Sequence, residues 1–118
     1  MIFKTVNDTY GHQVGDNFLI EFTELINNNS RSTDSFFRWG GEEFVMICPE
    51  VDKENILIHA EKLRQKMESH EFKTIGKKTI SMGVTLSKND DTIDSLVHRA
   101  DEALYMAKNS GRNKIVLA

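Results

Sequence analysis

The sequence predicts an α/β fold, an α+β sandwich in which helices flank one mostly antiparallel central sheet. Three long segments carry apolar residues at helical spacing, and short β-branched or aromatic runs lie between them. Two of those runs are joined by a glycine-rich turn, which is typical of a β-hairpin. The predicted order is helix, hairpin, helix, strand, helix, strand. With 118 residues, the chain has the length of one domain with a single core.

Composition and charge exclude several classes of protein. The chain is 39% hydrophobic and 28% charged, as ordinary globular domains are. Its formal net charge of −3 gives no basic field for a nucleic acid polymer. Any anionic substrate must therefore be held by local Lys or Arg side chains, a metal ion or backbone N–H groups. The single cysteine, Cys48, excludes an internal disulfide and a Cys-based metal cage, and is interpreted as a small apolar strand residue.

Hydropathy predicts a soluble, cytoplasmic segment without direct membrane contact. No apolar run approaches the roughly 20 residues of a membrane span. No signal peptide is visible either. A sensor or a membrane anchor upstream of this segment stays open as an alternative.

The first half of the chain predicts the end of a strand, a helix and a hairpin. Met1–Lys4 has neither turn nor cap before it, so it looks like the tail of a strand whose front half is absent. Asp16–Asn27 carries apolar residues at helical spacing and predicts an amphipathic helix. The apolar runs Ser35–Trp39 and Phe44–Cys48 flank Gly40-Gly41-Glu42-Glu43, which predicts a hairpin with glycines at its tip.

The second half predicts two helices and two strands. In chain order these are a helix over Lys53–Ser69, a strand over Thr79–Leu86, a helix that begins after Thr92 or Asp91, and a strand over Lys114–Ala118. Gly83, inside the first of these strands, is a candidate bulge. Gly111 is placed to end the last helix in a left-handed conformation.

A polar loop with two glycines runs from Asn7 to Asp16 and leads into the first helix. Free N–H groups at a helix start can bind anions. Asn7 presents a donor and an acceptor and Asp16 only acceptors, so together they could bind the amide edge of a purine such as guanine. For this segment alone an N-cap and a turn are the better interpretation, because Asn, Asp and Gly dominate ordinary turns.

The hairpin tip places two carboxylates, Glu42 and Glu43, side by side. They repel each other, which hints at a cation, although only one of two adjacent strand residues can face a given site. Mg²⁺ takes one or two carboxylates together with phosphate oxygens and water. Gly40 and Gly41 leave room for a nucleotide to approach the backbone. A solvated acidic turn explains these four residues equally well by themselves.

Two further charged pairs have a structural and a functional interpretation. Lys108 and Arg112 lie at the end of the last helix, where cations oppose the helix dipole, but they could equally clamp a polyphosphate. Arg31 and Asp34 precede the hairpin and by themselves predict a weak surface ion pair. The four histidines show no metal spacing among themselves, and three of them are expected to be exposed: His59, His70 and His98.

Taken in order, these motifs resemble GGDEF-domain diguanylate cyclases in the GGEEF variant. The matching segments are Phe3-Lys4-x-x-Asn7-Asp8-x-x-Gly11-His12-x-x-Gly15-Asp16, Arg38-x-Gly40-Gly41-Glu42-Glu43-Phe44, Ser81-x-Gly83, and Ala100-Asp101-x-Ala103-Leu104-Tyr105-x-Ala107-Lys108-x-x-Gly111-Arg112-Asn113. The resemblance implies the palm-like fold of nucleotidyl cyclases and polymerases. It also implies condensation of two GTP into cyclic di-GMP, with Mg²⁺ (or Mn²⁺), for bacterial second-messenger signalling.

The resemblance also implies roles for individual residues. Glu42 is similar to the metal-binding carboxylate, and Glu43 to the adjacent catalytic carboxylate. The GTP-binding residues that it implies are Phe3 and Lys4 for the phosphates, Asn7 and Asp16 for guanine, Gly40 and Gly41 at the tip, and Lys108 and Arg112 as the phosphate clamp. Arg31 and Asp34 have the spacing of the family's inhibitory product site, where Arg31 could bond a guanine edge bidentately.

The family's reaction implies a homodimer. Each subunit would hold one GTP with its metal across the β- and γ-phosphates. A two-fold dimer then lets each 3′-hydroxyl attack the α-phosphorus of the other nucleotide in line.

The sequence departs from the family's pattern at its start. The family's Asp-x-Asp precedes Phe3, and Met1 falls where the second Asp would stand. We therefore expect one GGDEF domain over residues 1–118 that lacks its N-terminal helix and most of its first strand, with low or no activity by itself. A misplaced start, with an ordinary cyclase upstream, is the other explanation. The rival function is a non-catalytic GTP or cyclic di-GMP binding module that uses Arg31 and Asp34, and a third is a dimerisation domain alone.

Overall fold

The computed structural model describes residues 2–7, 16–40, 43–73 and 76–118, with the backbone alone for residues 2–7, 16 and 17. The elements in these ranges are β1 (Ile2–Asn7), α1 (Asp16–Asn28), β2 (Ser35–Gly40), β3 (Glu43–Ile47), α2 (Lys53–Ser69), β4 (Glu71–Phe72), β5 (Gly76–Lys77), β6 (Ile80–Thr85), α3 (Ile93–Asn109) and β7 (Ile115–Leu117). Among the helices described, none is both long and apolar enough to cross a bilayer.

The main sheet has five strands in the order β2-β3-β1-β6-β7. The strand β1 lies at its centre and runs antiparallel to both β3 and β6, and β2 is antiparallel to β3. Only the pairing of β6 with β7 is parallel among the described strands, because α3 crosses over between them. The predicted α+β sandwich with a mostly antiparallel sheet is therefore confirmed.

Helices cover both faces of this sheet. Alternate residues of β3 point to opposite faces, so Phe44 and Met46 join the larger core while Val45 packs near Val97 of α3. The larger core lies beneath α1 and α2 and centres on Phe22, whose ring lies 5.0 Å from that of Phe44. The sheet is thus the middle of three layers.

The helix boundaries agree with the sequence pattern. The helix α2 spans the predicted Lys53–Ser69, and α1 is longer than predicted by one residue. Thr92, not Asp91, caps α3, where its side chain and that of Ser95 form a capping box. Gly111 follows α3 with a φ of +120°. This agrees with the left-handed ending expected of it.

The predicted bulge at Gly83 is wrong. Gly83 pairs in unbroken register with Lys4. A Cβ atom on Gly83 would lie 2.1 Å from the carbonyl oxygen of Ala100 and 2.5 Å from the backbone nitrogen of Leu104. Glycine is therefore needed at this position because α3 lies directly on the strand. The irregularity in the sheet lies elsewhere: the β2–β3 ladder shifts its register between Arg38 and Gly40.

Several strands differ from the sequence pattern, most of them by one residue at an end. The strand β1 continues to Asn7, which was expected in a loop, because the ladder with β6 extends to the pair Asn7–Ile80. The hairpin turn is shorter than expected, since Gly40 already pairs with Glu43. The small β4–β5 ladder was not predicted, because two-residue strands are too short to show a period.

Candidate functional site

The hairpin tip, the end of β1 and the loop after α3 lie at the same end of the sheet. Glu43, the first residue of β3, pairs with Val6, and Val6 pairs with Ser81 on the other side. The backbone N–H of Asn113 donates to Ser81 Oγ at 3.2 Å. The loop that contains Arg112 and Asn113 is thereby held beside the start of β6, at the level of Glu43.

A cavity of about 530 Å³ opens at this end, between the hairpin and α3. It is lined by Glu43, His98, Asp101, Glu102, Leu104, Tyr105, Met106 and Lys108. Glu43 and Lys108 were predicted from separate motifs, and the fold brings them to one cavity. Carboxylate oxygens beside an ammonium group can bind a hard divalent cation and a phosphate together.

The loop after α3 has an unusual backbone. Gly111, Arg112 and Asn113 have φ values of +120°, +62° and +48°. Left-handed conformations cost a non-glycine residue roughly 1–2 kcal/mol, so contacts must hold Arg112 and Asn113 there. The Arg112 N–H donates to Ala107 O at 3.0 Å, which closes the end of the helix.

Two residues of α2 hold this loop and were missed by the sequence analysis. Arg64 Nη1 donates to Asn113 Oδ1 at 3.0 Å. The Asn113 side-chain amide donates to a carboxylate oxygen of Glu68. The signal in the sequence was Asn113 itself, because asparagine adopts left-handed backbone conformations more readily than most residues, but nothing in the sequence indicated its α2 partners.

The backbone shows where four other predicted GTP-binding residues lie along β1 and α1. Asn7 ends β1 at the cavity end of the sheet, and Asp16 begins α1. Phe3 and Lys4 lie nearer the middle of β1, opposite Met46 and Val45. At about 3.3 Å per strand residue, Lys4 is roughly 10 Å along the strand from Asn7.

Gly40 ends β2, and among the described residues nothing would lie within 4 Å of a Cβ atom added to it. That open space agrees with a backbone that a ligand can approach. Gly41, Glu42 and the loop from 8 to 15 lie outside the described residues. Their predicted roles therefore stay predictions.

Arg31 and Asp34 lie at the opposite end of β2, in the turn that precedes it. Arg31 Nε and Nη2 donate to Asp34 Oδ1 at 3.2 and 3.0 Å, and the Arg31 N–H donates to Oδ2 at 2.9 Å. The pair predicted from the sequence is thus formed. It is not wholly a surface pair, since the Arg31 side chain is 47% exposed but that of Asp34 is fully buried.

Asp34 stays ionised despite its burial. Burial alone would raise the pKa of its carboxyl group, but hydrogen bonds from Arg31 and the charge of Arg31 outweigh it and hold that pKa below its usual range. Arg31 Nη2 also donates to Pro49 O at 2.7 Å. The guanidinium is therefore held at the mouth of a groove that Arg31 shares with His59 and Lys62.

His59 and Cys48 lie close to the carboxylate of Asp34, within 4.8 Å. The His59 side chain is only 14% exposed, so its predicted exposure is wrong: α2 turns the imidazole toward the sheet, where Nδ1 lies 3.7 Å from Asp34 Oδ2. Burial lowers the pKa of His59. Burial, and then the charge of Asp34, raises the pKa of the Cys48 thiol to about 12. His70 is also partly buried, with Nε2 2.7 Å from Glu21 Oε2, whereas His98 is exposed as expected.

Known proteins are similar to this chain in both sequence and fold. Residues 1–114 match the family model of the diguanylate cyclase GGDEF domain. The chain is 39% identical over 116 residues to diguanylate cyclase DgcM of Escherichia coli strain K12, an alignment that covers 98% of this chain and 28% of DgcM. The chain therefore spans less than a third of the length of that relative.

Two solved structures are similar. The GGDEF domain of DgcB from Caulobacter crescentus, in complex with c-di-GMP, superposes with a TM-score of 0.88 at 29% identity, covering 98% of this chain and 75% of that one. The active GGEEF domain of a diguanylate cyclase from Vibrio cholerae gives 0.86 at 28% identity, covering 98% and 80%. With the ordered motifs and the palm-like sheet, these matches show that the chain belongs to the GGDEF domain family of diguanylate cyclases.

Proposed function

We propose that this domain binds GTP at the hairpin end of its sheet and, as a homodimer, condenses two GTP into cyclic di-GMP. The observation that carries the proposal is the shared cavity of Glu43 and Lys108. These residues come from β3 and α3, and their charges suit the two components of a metal-bound triphosphate. The DgcM, DgcB and Vibrio cholerae relatives support the same reaction.

The charged and polar residues of the proposed site would have different roles. Lys108 and Arg112 would neutralise the triphosphate, and the left-handed loop holds Arg112 at the end of α3. Asn7 and Asp16 would select guanine through hydrogen bonds to its amide edge. These contacts orient the α-phosphorus for in-line attack, so that the protein contributes mainly position and charge.

The donor set of the cavity fits a hard divalent ion. Glu43, Asp101 and Glu102 line it with carboxylates, and oxygen ligands favour Mg²⁺ or Mn²⁺. We propose Glu42, with Glu43 beside it, as the main carboxylate for the ion. The bound ion would neutralise charge on the β- and γ-phosphates of GTP.

The reaction requires two chains. One site holds one GTP, whereas the product contains two phosphodiester bonds between two nucleotides. A two-fold pair of cavities would let each 3′-hydroxyl attack the nucleotide of the other chain. We therefore propose the homodimer as the catalytic form.

A second candidate is a module that binds cyclic di-GMP without catalysis. It rests on Arg31, whose guanidinium is held by Asp34 and half exposed beside a groove. Such a planar donor can bind the O6 and N7 edge of guanine. In an active cyclase the same contact would serve as the inhibitory product site.

Product formation and calorimetry distinguish these functions. The chain is incubated with GTP and Mg²⁺ and the products are separated by chromatography, while binding of GTP and of cyclic di-GMP is measured in parallel. Turnover by the 118-residue chain is expected to be low, since the Asp-x-Asp of the family is absent from it, and Lys108→Ala and Glu43→Gln should abolish it. Glu71→Gln is the matched control, because Glu71 is an exposed carboxylate of the small ladder.

Three outcomes are informative. Formation of cyclic di-GMP that Lys108→Ala removes supports the cyclase. Binding of cyclic di-GMP without any GTP binding, lost in Arg31→Ala, contradicts the cyclase and supports the module. Absence of all nucleotide binding contradicts both and leaves a dimerisation domain.

A further inference from the structure

Three potential metal ligands of different chemistry converge at the end of the sheet opposite the hairpin. Asp34 precedes β2, Cys48 follows β3, and His59 lies in the middle of α2. One ligand atom from each lies within 4.8 Å of the other two. The side chain of Asp34 is fully buried, as is Cys48, and that of His59 is 14% exposed.

The spacing of these atoms is close to that of a tetrahedral site. Zinc bonds of about 2.0–2.3 Å place neighbouring ligand atoms roughly 3.4 Å apart. His59 Nδ1 and Asp34 Oδ2 are already 3.7 Å apart. Cys48 Sγ lies within 4.8 Å of both atoms, so a contraction of at most roughly 1 Å around it completes the triangle. Sulfur and imidazole ligands favour Zn²⁺, whereas Mg²⁺ prefers oxygen alone.

The surroundings orient the imidazole as a metal site requires. Ser30 Oγ donates its hydrogen to Ile26 O at 2.7 Å, so its oxygen can accept from His59 Nε2 at 3.2 Å. In the tautomer that carries the proton on Nε2, the lone pair of Nδ1 is turned toward Asp34. Histidine ligands usually donate their second N–H to a neighbouring acceptor in this way.

The carboxylate of Asp34 is also held in a fixed orientation. Arg31 holds Asp34 Oδ1 through its guanidinium, and its backbone N–H donates to Oδ2. Because Oδ2 is also the oxygen that faces His59, a cation on Oδ2 leaves the guanidinium bonds on Oδ1 in place. These contacts position two of the three ligands before any ion arrives.

We propose that Asp34, Cys48 and His59 bind one Zn²⁺ ion, with water as the fourth ligand. A zinc–sulfur bond forms as the Cys48 S–H bond breaks, and the proton leaves to solvent without any change of oxidation state. This site is distinct from the proposed Mg²⁺ position at the hairpin. It shares Asp34 with the proposed product site, which would make zinc an input to that end of the domain.

Cobalt is the probe, because Co²⁺ adopts the same geometry and has an absorption spectrum. The 118-residue chain is titrated with Co²⁺ in a non-chelating reductant. We expect a thiolate-to-cobalt charge-transfer band in the near ultraviolet that saturates at one equivalent and disappears on addition of Zn²⁺. Absence of that band in the folded wild-type chain overturns the proposal, whatever the variants do.

Variants then assign the ligands. Cys48→Ala is expected to remove the band, and His59→Gln and Asp34→Asn to weaken Zn²⁺ binding at least about tenfold. His98→Gln is the matched control, since its side chain is 75% exposed on α3. Zinc affinity unchanged in His59→Gln or Asp34→Asn would refute the three-ligand site, provided that circular dichroism shows a folded variant. Where a variant does not fold, the wild-type spectrum decides.

Discussion

Asn113 connects three parts of the molecule with one side chain and one backbone group. It accepts a hydrogen bond from Arg64, donates to Glu68, and its N–H donates to Ser81 of the central sheet. Its φ of +48° is one that asparagine tolerates better than most residues. The residue before it is Arg112, so these contacts also hold the proposed phosphate clamp.

We predict that Asn113→Ala lowers the free energy of unfolding by about 2 kcal/mol, because bonds to charged partners and a tolerant backbone are lost together. Urea denaturation measures this loss. Asn113→Gly separates the two causes, since it removes the bonds but suits a positive φ, and should be less destabilising than Asn113→Ala. Wild-type stability in both variants would show that the contacts contribute nothing.

Gly83 gives a second prediction at the scale of one residue. Gly83→Ala would press a methyl group against the backbone of Ala100 and Leu104, at 2.1 and 2.5 Å. Backbone cannot move aside as a side chain can, so we expect a loss of at least about 3 kcal/mol in urea denaturation. Gly40→Ala is the control and should change stability by less than about 1 kcal/mol. Equal stability of the two variants would contradict this close packing.

The connection from β6 to α3 depends on one ion pair. Arg99 donates to Asp91 Oδ1 at 2.6 Å and to Oδ2 at 2.7 Å, and also to Thr85 and to the carbonyl of Leu86. These bonds fasten the first turns of α3 to the end of β6. The hydrogen bonds from Arg99, more than any other contact, hold the pKa of Asp91 well below its usual range.

This lowered pKa predicts how stability depends on pH. An unfolded aspartate has a pKa of about 3.9, so the contribution of Asp91 is fully present above that value. It is lost as pH falls below about 4 toward the lower folded-state pKa. Thermal unfolding should therefore show Asp91→Asn less stable than wild type near pH 6, with the difference narrowing toward pH 2. Asp90→Asn, which changes an exposed neighbour, is the control and should be about as stable as wild type near pH 6. A difference between Asp91→Asn and wild type that is independent of pH would contradict the assignment.

The hairpin carries its own spectroscopic probe. Trp39 is the only tryptophan of the chain, is 48% exposed, and directly precedes Gly40. If GTP binds at the tip, the solvent around the indole changes, so its fluorescence should shift on titration with GTP and Mg²⁺. The fluorescence shift should be absent in Lys108→Ala, because this variant lacks the ammonium group that lines the cavity on the side of α3. A response that survives Lys108→Ala would place GTP elsewhere.

At the scale of the molecule, β2 separates the two proposed nucleotide sites. Its six residues run from the turn with Arg31 and Asp34 to the tip at Gly40, roughly 20 Å at 3.3 Å per residue. Substitutions that far apart usually act independently. We predict that Arg31→Ala weakens cyclic di-GMP binding at least about tenfold and leaves GTP binding unchanged, whereas Lys108→Ala does the reverse. Calorimetry with both nucleotides checks this, and a loss of both ligands in either variant would contradict two separate sites.

Local patterns predicted most of the fold. The apolar spacing of α2 marks its full length, and the glycine-rich turn marks the hairpin, because period and turn chemistry are properties of neighbouring residues. The family motifs similarly indicated Glu43, Lys108 and the Arg31–Asp34 pair. The β4–β5 ladder carries no such period, and Gly83 was misinterpreted because its constraint comes from a helix far along the chain.

The sequence by itself determined the elements, the family and most of the candidate residues, since these depend on spacing along the chain. Only the tertiary structure decided which of them meet. It brought Glu43 to Lys108 at one end of the sheet and His59 to Asp34 and Cys48 at the other. The physical reason is that such contacts depend on strand order and on which face a helix buries, and no local pattern contains either. The hairpin that identifies the family thus lies at one end of the sheet, and the cluster of Asp34, Cys48 and His59 lies at the other.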